Sequence, residues 1–173
     1  MAQEKPIFGY WPVRACARGN VNRHLLNYAG VDFEDRRYTG DLWQEHKVSL
    51  GLPFPNVPYI IDGDFKITES KAVTVYICDR WAPALMGSTP AERAQIIMLQ
   101  QVVIDAFFTG ARSAMSNEDR EALYEAFKGA LEPIIAYLGD KDFVHGSEIR
   151  LTDFYLWELI ETTNAAAGDD RFM

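Results

Sequence analysis

Cysteine is scarce in this chain. Cys16 and Cys78 are the only two in 173 residues, too few for a disulfide framework or a cysteine-built zinc site, so a reducing compartment is the default. The three histidines, His24, His46 and His145, are scattered without metal-ligand spacing, and no metal is expected. No apolar run approaches the roughly 20 residues of a membrane helix. The opening residues lack a basic region followed by an apolar one, so neither a membrane span nor a secretory signal is expected. A basic excess is missing too: 25 acidic residues face 17 basic ones, for a net charge of −8. The deficit is uneven. Residues 1–80 hold ten of each sign, whereas residues 81–173 hold seven basic and fifteen acidic. An acidic second half argues against a nucleic-acid partner. It also supports a boundary near residues 82–89, where Ala-Pro-Ala-Leu-Met-Gly-Ser-Thr reads as a linker.

What is present centres on residues 52–72. Pro53, Pro55 and Pro58 stiffen the approach to an apolar run, Tyr59-Ile60-Ile61. Val57-Pro58 at a strand entrance is a candidate cis bond. Asp62-Gly63 between apolar runs predicts a hairpin. Ser70 is expected to cap the helix that follows, over 70–80. A helix N-terminus offers free N–H groups and suits a bound carboxylate, although a plain hairpin and capped helix explain the same residues.

Taken in order, residues 5–10 predict a strand. From Val13 the apolar residues follow steps of three and four to Tyr28, a helix interrupted by Gly19-Asn20. Residues 32–38 predict a second strand, and 39–50 an irregular or helical segment. Strand–helix–strand implies a parallel pair, to which the hairpin adds an antiparallel one. Thr89-Pro90-Ala91-Glu92 has the pattern of a capping box opening a helix to about residue 113. A further helix follows from Ser116, bearing Pro133, which should kink it, and ending at Gly139. Residues 151–162 are apolar nearly all round and predict a buried helix; the last ten residues read as frayed.

The motifs, in their order, resemble those of the cytosolic glutathione transferases, most closely the mu class. Gly9-Tyr10-Trp11 with Val13-Arg14 is similar to the family's first strand and its tyrosine. Trp43 and Lys47 match a Trp-x3-Lys spacing. Leu50-Gly51-Leu52-x-Phe54-Pro55-Asn56-Val57-Pro58-Tyr59 is nearly the mu signature, and Ile67-Thr68-Glu69-Ser70 resembles the pair closing the site's last strand. The resemblance implies a thioredoxin-like α/β domain over 1–82 and an all-α domain over 90–173, its last helices incomplete. It implies glutathione as co-substrate, no cofactor, a homodimer, and a cytoplasmic location, or an organellar one within a larger complex.

The resemblance also implies residue roles. Tyr10 would be catalytic, its hydroxyl stabilising the glutathione thiolate for attack on hydrophobic electrophiles, the chemistry of detoxification. Trp43 and Lys47 would hold the glycine carboxylate, with Trp11 and Arg14 nearby. Asn56, Val57 and Pro58 would frame the peptide. Glu69, Ser70 and, across a dimer interface, Asp105 would take the γ-glutamyl end. Phe107, Phe108, Ala111 and Met115 would line the electrophile pocket, and Phe54 would be the dimer key. Cys16 leaves room for a cysteine-type enzyme, against which stands Tyr10 at the strand end.

The chain departs from the family pattern in several places. The first helix is about two residues longer. Glu69 stands where mu-like sequences often have Gln, and Met115 where they often have Tyr. Arg150 occupies the place of the last helix's capping Ser or Thr, which Ser147 or Thr152 could replace. The chain also stops short of a typical member, so the cover for the outer face of 151–162 is expected to be absent. The alternative function is a transferase-like structural or interaction subunit of a larger assembly.

Overall fold

The computed structural model describes residues 4–13, 18–116 and 120–167, excepting the side chains at 111–116, 120, 123 and 166–167. It divides into two compact units, Met1–Pro83 and Ala84–Met173.

The first unit is built on a four-stranded sheet ordered β2-β1-β3-β4. Its strands are β1 (Ile7–Tyr10), β2 (Glu34–Arg37), β3 (Tyr59–Asp62) and β4 (Phe65–Thr68). β1 pairs in parallel with β2, and antiparallel with β3. The Asp62-Gly63 turn joins β3 to β4, with Gly63 in the left-handed region at φ 59°. Side chains alternate across the sheet. Phe8 and its cross-strand partner Ile60, both fully buried, face helices α1 (Asn20–Tyr28) and α3 (Ser70–Trp81). Ile7, Tyr59 and Ile61 point the other way, into a cluster with Tyr38, Leu52 and Trp43 of helix α2 (Gly40–His46).

Glycine is required at one point of this second face. Gly9 lies opposite Tyr59, and a Cβ on Gly9 would fall 2.1 Å from the Tyr59 ring. The tyrosine ring therefore lies flat over bare backbone. Its hydroxyl meets that of Tyr38 at 2.7 Å. Burial, and next the Tyr38 hydroxyl, raise the Tyr59 phenol above its ordinary pKa.

The segment 39–50 resolves into a helix because Thr39, extended at ψ 167°, caps it through Leu42 N–H. Two expectations are corrected in this unit. The first helix starts at Asn20, not near Val13: Gly19 sits at its N-cap, against the Tyr10 ring, where any Cβ would clash at 2.5 Å. Ser70 is the first residue of α3 and not its cap. Glu69 holds the cap position at φ 73°, with no capping hydrogen bond, because the chain must reverse sharply from β4 into the helix. Val57-Pro58 is cis, as the sequence suggested.

A 3-10 turn, Pro83–Met86, spans the division of the chain, and its Leu85 and Met86 are buried. The segment expected as a linker is thus anchored by apolar burial. Helix α4 (Pro90–Ser116) begins with the expected capping box. Glu92 N–H donates to Thr89 Oγ1 at 3.1 Å, and Glu92 Oε2 accepts from Thr89 N–H at 3.2 Å and from Ser88 N–H at 2.6 Å. Helix α5 (Arg120–Leu138) continues through Pro133 and ends at Gly139, φ 55°. The expected start of α5 at 116–119 falls partly outside the described residues, and Ser116 closes α4 instead. Helix α6 runs Leu151–Ala167, five residues beyond expectation, because Thr162 and Thr163 turn their hydroxyls onto the carbonyls of Glu158 and Leu159 and so enter the interior satisfied.

Neither Ser147 nor Thr152 caps α6. Asp153 does the work from inside the first turn: one oxygen accepts from Arg150 N–H at 2.7 Å, the other from Val144 N–H at 2.8 Å. Thr152 has another task. Its single proton goes to the Ile96 carbonyl at 3.2 Å, so it accepts from His145 Nε2 at 3.0 Å. His145 is then the neutral Nε2–H form. Its pKa lies below the ordinary value, with burial the first cause, outweighing the pull of Asp153.

Candidate functional site

The turn from β4 into α3 gathers the first group of candidates. Glu69, forced into the left-handed region, turns its carboxylate to Asn56, whose Nδ2 donates to Oε1 at 2.9 Å. The Asn56 Oδ1 accepts from Val57 N–H at 2.9 Å. Asn56 thus ties the proline loop to the start of the helix, and the Val57 N–H expected to meet a peptide is occupied by its neighbour. Ser70 Oγ makes no hydrogen bond with another described residue, and the hydroxyl stands in the first turn of α3. First-turn N–H groups and the dipole favour an anion there.

Ser70 is braced from behind. Thr74 Oγ1 lies 2.9 Å from the Ser70 carbonyl and 2.7 Å from the side-chain amide of Asn22 on α1. One hydroxyl proton cannot serve two acceptors. With the amide oxygen toward Thr74, the fully buried Asn22 Nδ2 has no partner. With the amide turned over, Nδ2 donates to Thr74 and Thr74 donates to Ser70, while the amide oxygen takes the place of the unpartnered nitrogen. Asn22 and Thr74 thereby pin the start of α3 to α1.

Helix α2 supplies the second group. Trp43 is buried, its ring stacked on Tyr59 at 6.3 Å and edge-on to Tyr38 at 5.4 Å. Trp11 and Val57 pack against the same cluster, so three candidates, one from a helix and two from loops, share one apolar footing. The Trp43 indole N–H has no partner among the described residues. Lys47, one helical turn on, has its backbone N–H on the Trp43 carbonyl and its ammonium without a carboxylate among them. A charged donor and a neutral one, both unpaired, can receive a carboxylate.

Tyr10 ends β1, 6% exposed. Its ring packs on Gly19 and beneath the Arg23 guanidinium, 5.6 Å from the centroid. Arg23 is itself buried and holds both oxygens of Asp35 through Nε, at 3.0 and 3.1 Å. A cation over the ring face is attracted by its quadrupole and helps hold the tyrosine in place. Arg14 and Cys16 lie outside the described residues.

In the second unit, Asp105 is exposed on α4 and accepts from Gln101 Nε2 at 2.7 Å. Phe107 and Phe108 meet edge-to-face at 5.5 Å, both half-buried. The side chains of Ala111 and Met115 lie outside the described residues. Phe54 projects from the proline loop of the first unit, 77% exposed. Among the described residues no group of acids, histidines or cysteines could hold a metal, and no helix is long and apolar enough to cross a membrane.

Sequence reasoning passed over Asn22, Thr74 and Arg23. Their signal was weak but present: polar residues on the inward stripe of α1 and α3, where apolar ones are the rule, mark buried hydrogen bonding.

The profile of the glutathione S-transferase N-terminal domain matches residues 6–79. A class-mu 26 kDa glutathione S-transferase isozyme of Schistosoma japonicum is 36% identical over 163 residues, covering 90% of this chain and 72% of the relative. Glutathione S-transferase Mu 4 of Rattus norvegicus is 34% identical, covering 88% and 73%. Among solved structures, a nematode-specific GST of C. elegans superposes with a TM-score of 0.73 at 22% identity, covering 95% of this chain and 89% of its own; that likeness speaks to the fold.

Proposed function

Because the chain belongs to the glutathione S-transferase family, we propose that it binds glutathione along the α2 and α3 edge of the first unit and conjugates it to hydrophobic electrophiles. The observation that carries this reading is a set of open polar groups on a rigid frame: the Lys47 ammonium, the Trp43 indole N–H and the Ser70 hydroxyl. Lys47 and Trp43 take the glycine carboxylate. Ser70 and the first turn of α3 take the γ-glutamyl carboxylate. Glu69, with one oxygen on Asn56, offers the other to the ammonium. Asp105 from a second copy completes that end.

Catalysis rests on the thiol. A free cysteine thiol has a pKa of about 8.5, so most is protonated at neutral pH. Donation from the Tyr10 hydroxyl stabilises the thiolate, and each unit by which the pKa falls is worth about 1.4 kcal/mol. The proton leaves to solvent. The sulfur pair then forms a bond to the electrophilic carbon, and a leaving group departs with its electron pair or, in an addition, the substrate takes up a proton. By family resemblance, Phe107, Phe108, Ala111 and Met115 are the residues assigned to the electrophile.

The test is binding to immobilised glutathione together with turnover of an aryl halide. Tyr10→Phe is expected to retain binding and to lower kcat about 100-fold, the usual scale for one lost donor at a developing anion, while raising the pKa of the bound thiol. Failure of the native chain to bind glutathione overturns the assignment. Binding with turnover indifferent to Tyr10→Phe overturns only the role of the tyrosine. A second reading, an interaction subunit of a larger assembly with catalysis optional, is favoured by exposed apolar residues at Phe54, Met98 and Trp157. Isolation in a stable complex with other chains, without turnover, would support it.

A further inference from the structure

The buried side chains of α1 and α3 include Val21, Leu25, Val73 and Ile77, apolar groups that suffice to hold two helices together. One polar pair joins the helices among them, Asn22 and Thr74, both fully buried. Burying an amide and a hydroxyl carries a desolvation cost that their mutual hydrogen bond does little more than offset. Cohesion therefore does not account for the pair. We propose that Asn22 and Thr74 are positioning residues for glutathione, which hold the first turn of α3 so that the Ser70 hydroxyl meets the γ-glutamyl carboxylate. The proposal rests on the glutathione reading above.

The contacts run in one line. Thr74 stands one helical turn beyond Ser70, with Oγ1 2.9 Å from the Ser70 carbonyl and 2.7 Å from the Asn22 amide. A hydroxyl returned onto the carbonyl one turn back tends to bend a helix, and the turn so acted on bears Ser70. Asn22 is held in its own place by backbone: its N–H donates to the Gly19 carbonyl at 3.2 Å. Gly19 in turn lies against the Tyr10 ring, with no room for a Cβ. Tyr10, assigned to the thiol, and Ser70, assigned to the far carboxylate, are thus joined through Gly19, Asn22 and Thr74.

A ligand gripped at both places needs their spacing fixed. Hydrogen bonds are directional, so a buried network fixes it more narrowly than apolar packing does. The turn also has need of support. Glu69, at φ 73°, immediately precedes Ser70, and such a backbone persists only where its surroundings over-determine it. Asn56 holds the turn in front, through the Glu69 carboxylate, and Thr74 holds it from behind.

The test measures glutathione affinity by calorimetry, beside unfolding in urea. Thr74→Val keeps the side-chain shape and removes the hydroxyl; it should weaken glutathione about five-fold, the worth of one neutral hydrogen bond. Thr74→Ser should restore the affinity, and Asn22→Leu should lower it. Asn22→Leu combined with Thr74→Val leaves neither polar group buried without the other, so stability should return to that of the native chain or exceed it. The affinity should stay low in that double variant. In a Ser70→Ala background, Thr74→Val should cost less than about two-fold, because its effect passes through Ser70. Affinity that recovers together with stability, or the full loss from Thr74→Val in the Ser70→Ala background, would overturn the proposal. Amide exchange without glutathione tests it separately: residues 73–75 of the double variant should exchange faster than in the native chain. Exchange no faster there overturns the positioning role by itself, whereas failure of the native chain to bind glutathione overturns the assignment beneath it.

Discussion

At the scale of single residues, Ser70 and Glu69 divide one turn between them. Glu69 accepts a left-handed backbone that costs about 1–3 kcal/mol, and Ser70 is left with a hydroxyl that stabilises nothing within the protein. The two roles separate by experiment. Were Ser70 a helix cap, Ser70→Ala would cost about 1 kcal/mol of stability. Since it caps nothing, the variant should unfold in urea within about 0.5 kcal/mol of the native chain. Its glutathione affinity, read by calorimetry, should fall about ten-fold, the worth of one hydrogen bond to a charged group. The sequence marked Ser70 and Glu69 as a pair because both are local to a recognisable hairpin. It did not show the φ of Glu69, since that angle is imposed by the geometry of β4 meeting α3. Nor did it show the Asn56–Glu69 bond across 13 positions.

At the scale of elements, caps explain why some boundaries were legible. The start of α4 was readable because Thr89 and Glu92 satisfy one another within four residues. The start of α1 was not: the apolar spacing runs back to Val13, but the Tyr10 ring occupies the space beside Gly19 and no local pattern reports that. At α6 half of the reciprocal cap survives, through Asp153, while Arg150 has no side-chain acceptor to return. Arg150→Ser should supply it and raise unfolding stability by about 0.5–1 kcal/mol, measured by chemical denaturation. The loop before α6 also carries a pH dependence. His145 is neutral in the fold and its pKa is depressed from 6.5. Its contribution is present in full above about pH 6.5, and is lost as pH falls from there through the folded value, because the unfolded chain takes the proton first. His145→Gln should flatten the stability profile between about pH 7 and pH 5, as followed by thermal unfolding in matched buffers.

At the scale of the whole molecule, the charge shift between residues 1–80 and 81–173 and the change of period from strands to helices fall near the division of the chain at Pro83 and Ala84. Leu85 and Met86 were misread as linker because small residues and prolines around them mask two buried anchors. Phe54 carries the prediction that belongs here. A phenylalanine 77% exposed on a proline-stiffened loop is a natural anchor for a second copy. Phe54→Ala should weaken self-association at least ten-fold by sedimentation equilibrium while leaving the unfolding of the dissociated chain nearly unchanged.

The sheet of the first unit has two rims, and they differ. β2 reads Glu-Asp-Arg-Arg, charged at every position, whereas β4 reads Phe-Lys-Ile-Thr with Phe65 half-exposed and stacked on Tyr76. Another extended chain laid along β2 would set its backbone among ion pairs it could not match, so that rim resists growth of the sheet. Strand addition, and with it the risk of aggregation when the protein is heated or over-produced, is therefore directed to β4, where a single added charge at Phe65 would be the economical gatekeeper.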